Sequence, residues 1–106
     1  MKDVHPMLRL GQVVRITHGR DAGQYAIVIK IIDHRYVLLA DGDKRKFNRP
    51  KKKNKRHIEL TDYVSSEIEN SLLETGRVTN GKLRFTLSMF HEENMTEIKK
   101  GALSDG

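Results

Sequence analysis

Two β-branched runs held apart by a short turn with a glycine at each end constrain this chain most. Gln12-Val13-Val14-Arg15-Ile16-Thr17 precedes the turn Gly19-Arg20-Asp21-Ala22-Gly23, and Tyr25-Ala26-Ile27-Val28-Ile29-Lys30-Ile31-Ile32 follows it. β-Branched side chains suit the pleated surface of a sheet, and glycine accepts the positive φ that a tight turn demands. The spacing predicts two strands joined directly. In the second run Tyr25, Ile27, Ile29 and Ile31 share one face while Lys30 interrupts the other, the pattern of a central strand. Asp33-His34-Arg35 then turns the chain into Tyr36-Val37-Leu38-Leu39-Ala40. Asp41-Gly42 signals a two-residue hairpin with Lys46-Phe47-Asn48 as the return strand, and His57-Ile58-Glu59-Leu60 alternates as a closing strand. Five short strands with no helix between them predict a mostly β domain, a small antiparallel barrel rather than a parallel sheet. Its expected interior is Val14, Ile16, Ile27, Ile29, Ile31, Leu38 and Ile58.

From Thr61 the period becomes helical. Ile68, Leu72 and Leu73 fall on one side of a helix from about Val64 to Thr75, capped by Ser65 or Ser66 and stopped by Gly76. Thr79-Asn80-Gly81 caps a second short helix with Leu83, Leu87 and Phe90 on one face, ending near Glu92 or Glu93. The expected division is a barrel over 1–61, a helical extension packed on it over 62–93, and a flexible tail over 94–106.

Charge separates the two parts. Residues 1–60 carry 15 basic and 6 acidic groups, whereas residues 61–106 carry 5 and 8. The excess concentrates in residues 44–56, where 9 of 13 side chains are basic and none is acidic. Such a run cannot enter a core, and with Pro50 inside it the expectation is an exposed, mobile loop. Basic side chains gain free energy by displacing condensed counterions from a phosphate backbone, so a polyanion is the expected partner.

Other classes are excluded by what the chain lacks. Without cysteine there is no disulfide framework, thiolate zinc site or cysteine nucleophile. The five histidines, at 5, 18, 34, 57 and 91, show no metal-ligand spacing, so neither a metal nor a cofactor is expected. Ser, His and Asp residues near 57–66 are not framed by a strand-to-helix nucleophile elbow, and an enzyme is not expected. There is no long apolar run, and the start Met1-Lys2-Asp3-Val4-His5-Pro6 has no secretory pattern, so a cytoplasmic protein without membrane contact is expected.

The stretch Leu10 to Val28, with Gly23 as its marking glycine, resembles a KOW motif. The likeness continues through Ile32-Asp33, Tyr36-Val37-Leu38, Asp41-Gly42, Pro50-Lys51-Lys52-Lys53 and His57-Ile58-Glu59-Leu60. Over residues 8–62 it is similar to the L-fourteen-e family of large-subunit ribosomal proteins and its shorter bacterial relatives. The resemblance implies an SH3-like barrel that binds RNA, in a ribonucleoprotein that serves translation.

The candidate RNA-binding residues follow from charge and turn geometry together. The basic run supplies Lys44, Arg45, Lys46, Arg49, Lys51, Lys52, Lys53, Lys55 and Arg56 as phosphate contacts. The turn supplies His18, Gly19, Arg20 and Gly23, although the two glycines are needed by the turn with or without a ligand. Phe47, flanked by cations, is a candidate to stack on a base, whereas Tyr25 and Tyr36 lie on apolar faces and are expected in the core. The acidic helices are expected to pack on the barrel or to face a protein partner, and the chain is expected to act as a monomer. The alternatives are a transcription-elongation type of KOW module that binds RNA polymerase or a factor, and a regulatory RNA binder.

Overall fold

A computed structural model describes the backbone of residues 7–104 and the side chains of residues 7–94. Five strands, β1 (Gln12–Ile16), β2 (Tyr25–Ile31), β3 (Tyr36–Ala40), β4 (Lys51–Asn54) and β5 (Ile58–Val64), form one antiparallel sheet in the order β4-β3-β2-β1-β5. A single 3-10 turn over Lys55–His57 links the two edge strands, and the helices α1 (Ser66–Thr75) and α2 (Asn80–Ser104) follow. None of the described helices is long and apolar enough to cross a membrane.

Both faces of the sheet are buried, which explains why β2 reads as a nearly continuous apolar run. Val13, Ile27, Ile29 and Ala40 pack under Ile68, Leu72, Leu83, Leu87 and Phe90 of the helices. On the other face Val14, Ile16, Ala26, Val28, Val37, Leu39 and Ile58 form a cluster made of strand residues alone. With no helix above them, these side chains are removed from water by the curl of the sheet together with Leu8 and Leu10 before β1. Irregular register between Gln12 and Val14 and between Val28 and Lys30 supplies bends of the kind that allow this. The result is the SH3-like arrangement. β4 and β5 are edges of the sheet rather than a closing pair.

The expected interior therefore needs correction. Ile27 and Ile29 are core residues but face the helices, with Leu38 half-buried on that same side, and Ile31 is 40% exposed beyond the helical cover. Leu73, expected beside Ile68 and Leu72, is 67% exposed.

The caps of α1 are as expected. Ser65 Oγ accepts from the Ile68 N–H at 3.1 Å, and Gly76 ends the helix in the left-handed region. α2 is not short: it continues to Ser104, past the expected end near Glu92 or Glu93, since no proline or turn signal interrupts 94–100. The flexible tail expected over 94–106 falls almost entirely on side chains outside the described residues, as do residues 1–6 of the expected barrel segment.

A second correction concerns the basic run. The return strand is Lys51–Asn54, not Lys46-Phe47-Asn48, so this part of the expected loop is ordered by the ladder of β3, with Leu39 opposite Lys51 and Tyr36 opposite Asn54. The connection after Asp41-Gly42 is accordingly much longer than two residues. Asp41 Oδ1 accepts from the N–H groups of Asp43 and Arg45, both at 2.8 Å, and the Phe47 N–H donates to Asn80 Oδ1 at 2.7 Å. These bonds pull residues 42–49 off the sheet and toward α2. An edge strand rich in lysine also discourages pairing with another chain.

Candidate nucleic-acid interface

β1 ends at Ile16, and the turn that follows is closed by backbone bonds. The Gly23 N–H donates to the Ile16 carbonyl at 2.7 Å and the Ala22 N–H to the Gly19 carbonyl at 3.2 Å. Gly19 and Gly23 have φ of +95° and +91°, values that other L-residues rarely adopt. They differ in surroundings. A Cβ added at Gly23 would meet nothing within 4 Å, whereas one at Gly19 would stand 2.8 Å from Lys53 Nζ. The turn and the basic strand, more than thirty residues apart in the chain, are thus one surface. His18 and Arg20 are exposed on it.

Strand alternation sorts the lysines of β4. Lys51 and Lys53 lie opposite Leu39 and Val37, residues of the strand-only cluster, and Lys53 reaches Gly19. Lys52 lies opposite Leu38 and points to the other side, its Nζ 4.5 Å from the centre of the Tyr36 ring. Lys55 and Arg56 are exposed on the 3-10 turn, whose backbone is tied down by the Asn54 side chain, Oδ1 accepting from the Arg56 N–H at 2.8 Å.

The preceding connection holds the other candidates. Lys44, Lys46 and Arg49 are exposed. Arg45 is half-buried and lies 3.5 Å from Asp21 Oδ2, which joins this connection to the glycine turn. Phe47 is half-buried and packs against the helical cluster. Tyr25 is packed as expected, its ring 5.0 Å from that of Phe90. Among the described residues, cations pair with carboxylates at Arg9–Glu69, Arg15–Glu59, Arg45–Asp21 and Lys82–Glu67. Of the candidate cations, Arg45 alone has such a partner among the described residues.

Two neighbourhoods were missed by the sequence reading. His34 and Arg35, in the turn between β2 and β3, line an open cleft of about 500 Å³ with Asn54, Lys55 and Arg56. The Lys55 N–H donates to the Arg35 carbonyl at 2.8 Å, so antiparallel pairing carries the end of β4 back to the start of β3. The turn itself is made by Asp33, whose Oδ1 accepts from the N–H groups of Arg35 and Tyr36 at 2.7 and 2.9 Å. Those two bonds hold its carboxyl below the usual carboxylate range. The second neighbourhood is a pair of imidazoles: the rings of His18 and His57 lie 4.6 Å apart and 32° from parallel. The Thr17 N–H donates to the His57 carbonyl at 2.9 Å, extending the β1–β5 ladder and bringing the rings together. A register for the closing strand would have placed His57 beside Thr17 from sequence, but charge and composition could not.

Comparison with known proteins gives three findings. A profile described as the KOW motif matches residues 10–41. "Putative ribosome-binding protein YbzG" of Bacillus subtilis is 46% identical over 71 residues, covering 67% of this chain and 96% of that protein. The large ribosomal subunit proteins eL14 of Desulfurococcus amylolyticus and Pyrobaculum islandicum are 33% and 36% identical over 57 and 56 residues, about half of this chain and 59% and 54% of theirs.

Proposed function

We infer function from the family to which the chain belongs: it is a KOW-motif protein of the family that includes YbzG of Bacillus subtilis. On that premise we propose that it is a ribosome-associated RNA-binding protein that docks on structured ribosomal RNA of the large subunit. The observation that carries this reading is the contact of Lys53 with Gly19, which fuses the glycine turn and the basic strand into one cationic surface. The phosphate-contacting groups on it are Arg20, Lys51, Lys53, Lys55 and Arg56, with Lys44, Lys46 and Arg49 at its margin and Lys52 turned to the opposite side of β4. His18, Gly19 and Gly23 shape the turn that approaches the backbone. Docking of this kind draws on counterion release and shape rather than on base edges, and involves no catalytic step.

The helices carry the acidic half of the protein on the other face of the sheet. Ile68, Leu72, Leu83, Leu87 and Phe90 cover Ile27 and Ile29, so the helices act first as a lid, while Leu73 and Phe85 stay exposed on its outer side. A protein neighbour on the ribosome would meet the chain there, where carboxylates repel phosphate. The protein works as a monomer in the cytoplasm, where ribosomes are.

The test is co-sedimentation of the pure protein with separated ribosomal subunits at graded salt. The expected result is pelleting with the large subunit that weakens as salt rises and is reduced by Lys51→Ala with Lys53→Ala. Failure to pellet with either subunit at low salt, or equal pelleting with both, would overturn the reading.

A further inference from the structure

The 3-10 turn Lys55–His57 divides two features of different chemistry. Its backbone is fixed from both sides, by the Lys55 N–H on the Arg35 carbonyl and by the Thr17 N–H on the His57 carbonyl. On one flank lies the cleft of about 500 Å³, with exposed Arg35, Lys55 and Arg56 and exposed His34 at its rim. Among the described residues no carboxylate lines it. Asp33 is the nearest acid in sequence, and its Oδ1 is turned into its own loop by the Arg35 and Tyr36 N–H groups. A cleft of this kind suits a phosphodiester, which guanidinium groups engage through forked, charge-assisted bonds.

On the other flank stands the stacked pair His18–His57. Both rings are exposed and neither belongs to a hydrophobic cluster, so the stack is not part of the core. His18 is oriented by a 2.8 Å hydrogen bond between its Nδ1 and Thr17 Oγ1. A pre-ordered pair of flat rings on exposed residues offers a platform for a third ring. Arg56, which lines the cleft, and His57, which carries the ring, are consecutive, so the two features meet at one short turn.

Resting on the RNA-binding reading above, we propose that this turn seats one unpaired RNA nucleotide, its phosphate in the Arg35–Arg56 cleft and its base stacked on the His57–His18 pair. The site selects single-stranded, looped or bulged RNA. A base inside a duplex has both faces occupied by its neighbours, and an A-form helix does not admit a side-chain ring to them. Stacking tolerates any base, so the seat prefers unpaired RNA without preferring a sequence.

The experiment uses the full chain and a short single-stranded RNA carrying a fluorescent adenine analogue, with the blunt duplex of the same sequence as competitor. Binding is followed by anisotropy and stacking by the change in analogue fluorescence. The expected results are a fluorescence change on binding, a duplex that competes about tenfold more weakly, and loss of the change in His57→Ala with recovery in His57→Phe. Arg35→Ala should weaken binding and flatten its salt dependence by about 0.7 unit while leaving the fluorescence change at saturation. A melting curve like wild type for His57→Ala is expected, because His57 serves the fold through its carbonyl. A fluorescence change that survives in folded His57→Ala, or a duplex that competes as well as the single strand, would overturn the nucleotide seat while leaving RNA binding intact. Absence of any RNA binding at low salt would overturn both.

Discussion

Gly11 and Ser65 meet backbone to backbone: the Ser65 N–H donates to the Gly11 carbonyl at 2.9 Å, and a Cβ at Gly11 would stand 2.7 Å from the Ser65 carbonyl oxygen. The start of β1 is thereby locked to the N-cap of α1, and the lid is attached to the sheet at its first strand. Gly11 also has a φ of +82°. Gly11→Ala combines a strained conformation, about 1 to 3 kcal/mol, with a clash against backbone that cannot step aside. Gly23→Ala has the strain alone. Denaturant titration should rank Gly11→Ala as clearly the less stable, and Arg20→Ala should leave the melting temperature unchanged. Equal losses at the two glycines would show that the close approach at Gly11 contributes nothing.

Neighbouring isoleucines of β2 should behave differently. Ile27 is fully buried under the helices, and Ile27→Ala should cost about 2 to 5 kcal/mol. Ile31 is 40% exposed, and Ile31→Ala should cost a fraction of that. The midpoints of urea unfolding measure both.

Removing residues 65–106 strips the cover from Val13, Ile27, Ile29 and Ala40. The remaining strands should then fail to show a cooperative thermal transition, because one whole face of the sheet is returned to water. A sharp transition in the fragment would mean that the curled face alone sustains the domain.

Acid should weaken the turn between β2 and β3. The Asp33 carboxyl is held low by the N–H groups of Arg35 and Tyr36, so its folded-state pKa lies below the unfolded value of about 3.9. A depressed carboxyl contributes stability that is present above the unfolded pKa and lost as pH falls through the folded one. Wild type should therefore exceed Asp33→Ala in stability near neutrality, and the gap should narrow below about pH 4. A gap that stays constant down to about pH 2 would show that the charge has no part in it.

The two sides of β4 should be separable by salt. Lys51→Ala and Lys53→Ala should each flatten the plot of log affinity against log salt by about 0.7 unit for a single-stranded RNA. Lys52, over the Tyr36 ring on the other side, should change the slope less. Filter binding or anisotropy across a salt series decides it, and three equal effects would mean that RNA wraps both sides of the edge.

Much of the fold was legible because it is local. The glycine turn at 19–23, the apolar run of β2 and the Ser65 and Gly76 caps are each written in adjacent residues, where φ preference and side-chain branching act without help from the rest of the chain. The basic character of residues 44–56 was equally plain, since charge is a property of composition.

What the residues could not say is where long-range pairing would place them. Lys51, Lys52 and Lys53 are chemically identical and carry no alternation, so only the hydrogen bonds of β3 turn them into a strand and send Lys53 toward Gly19 and Lys52 toward Tyr36. The unbroken run Ala26-Ile27-Val28-Ile29 announces burial on both faces but not which face the helices cover. Phe47 is drawn inward by Asn80, thirty-three residues on, and His57 is laid against His18 by the ladder between β1 and β5. Local chemistry decided which segments extend, turn or coil and what charge they bear. The partners that satisfy their backbone N–H and C=O groups lie far along the chain, and only their meeting in three dimensions decided which cations, rings and clefts share a surface.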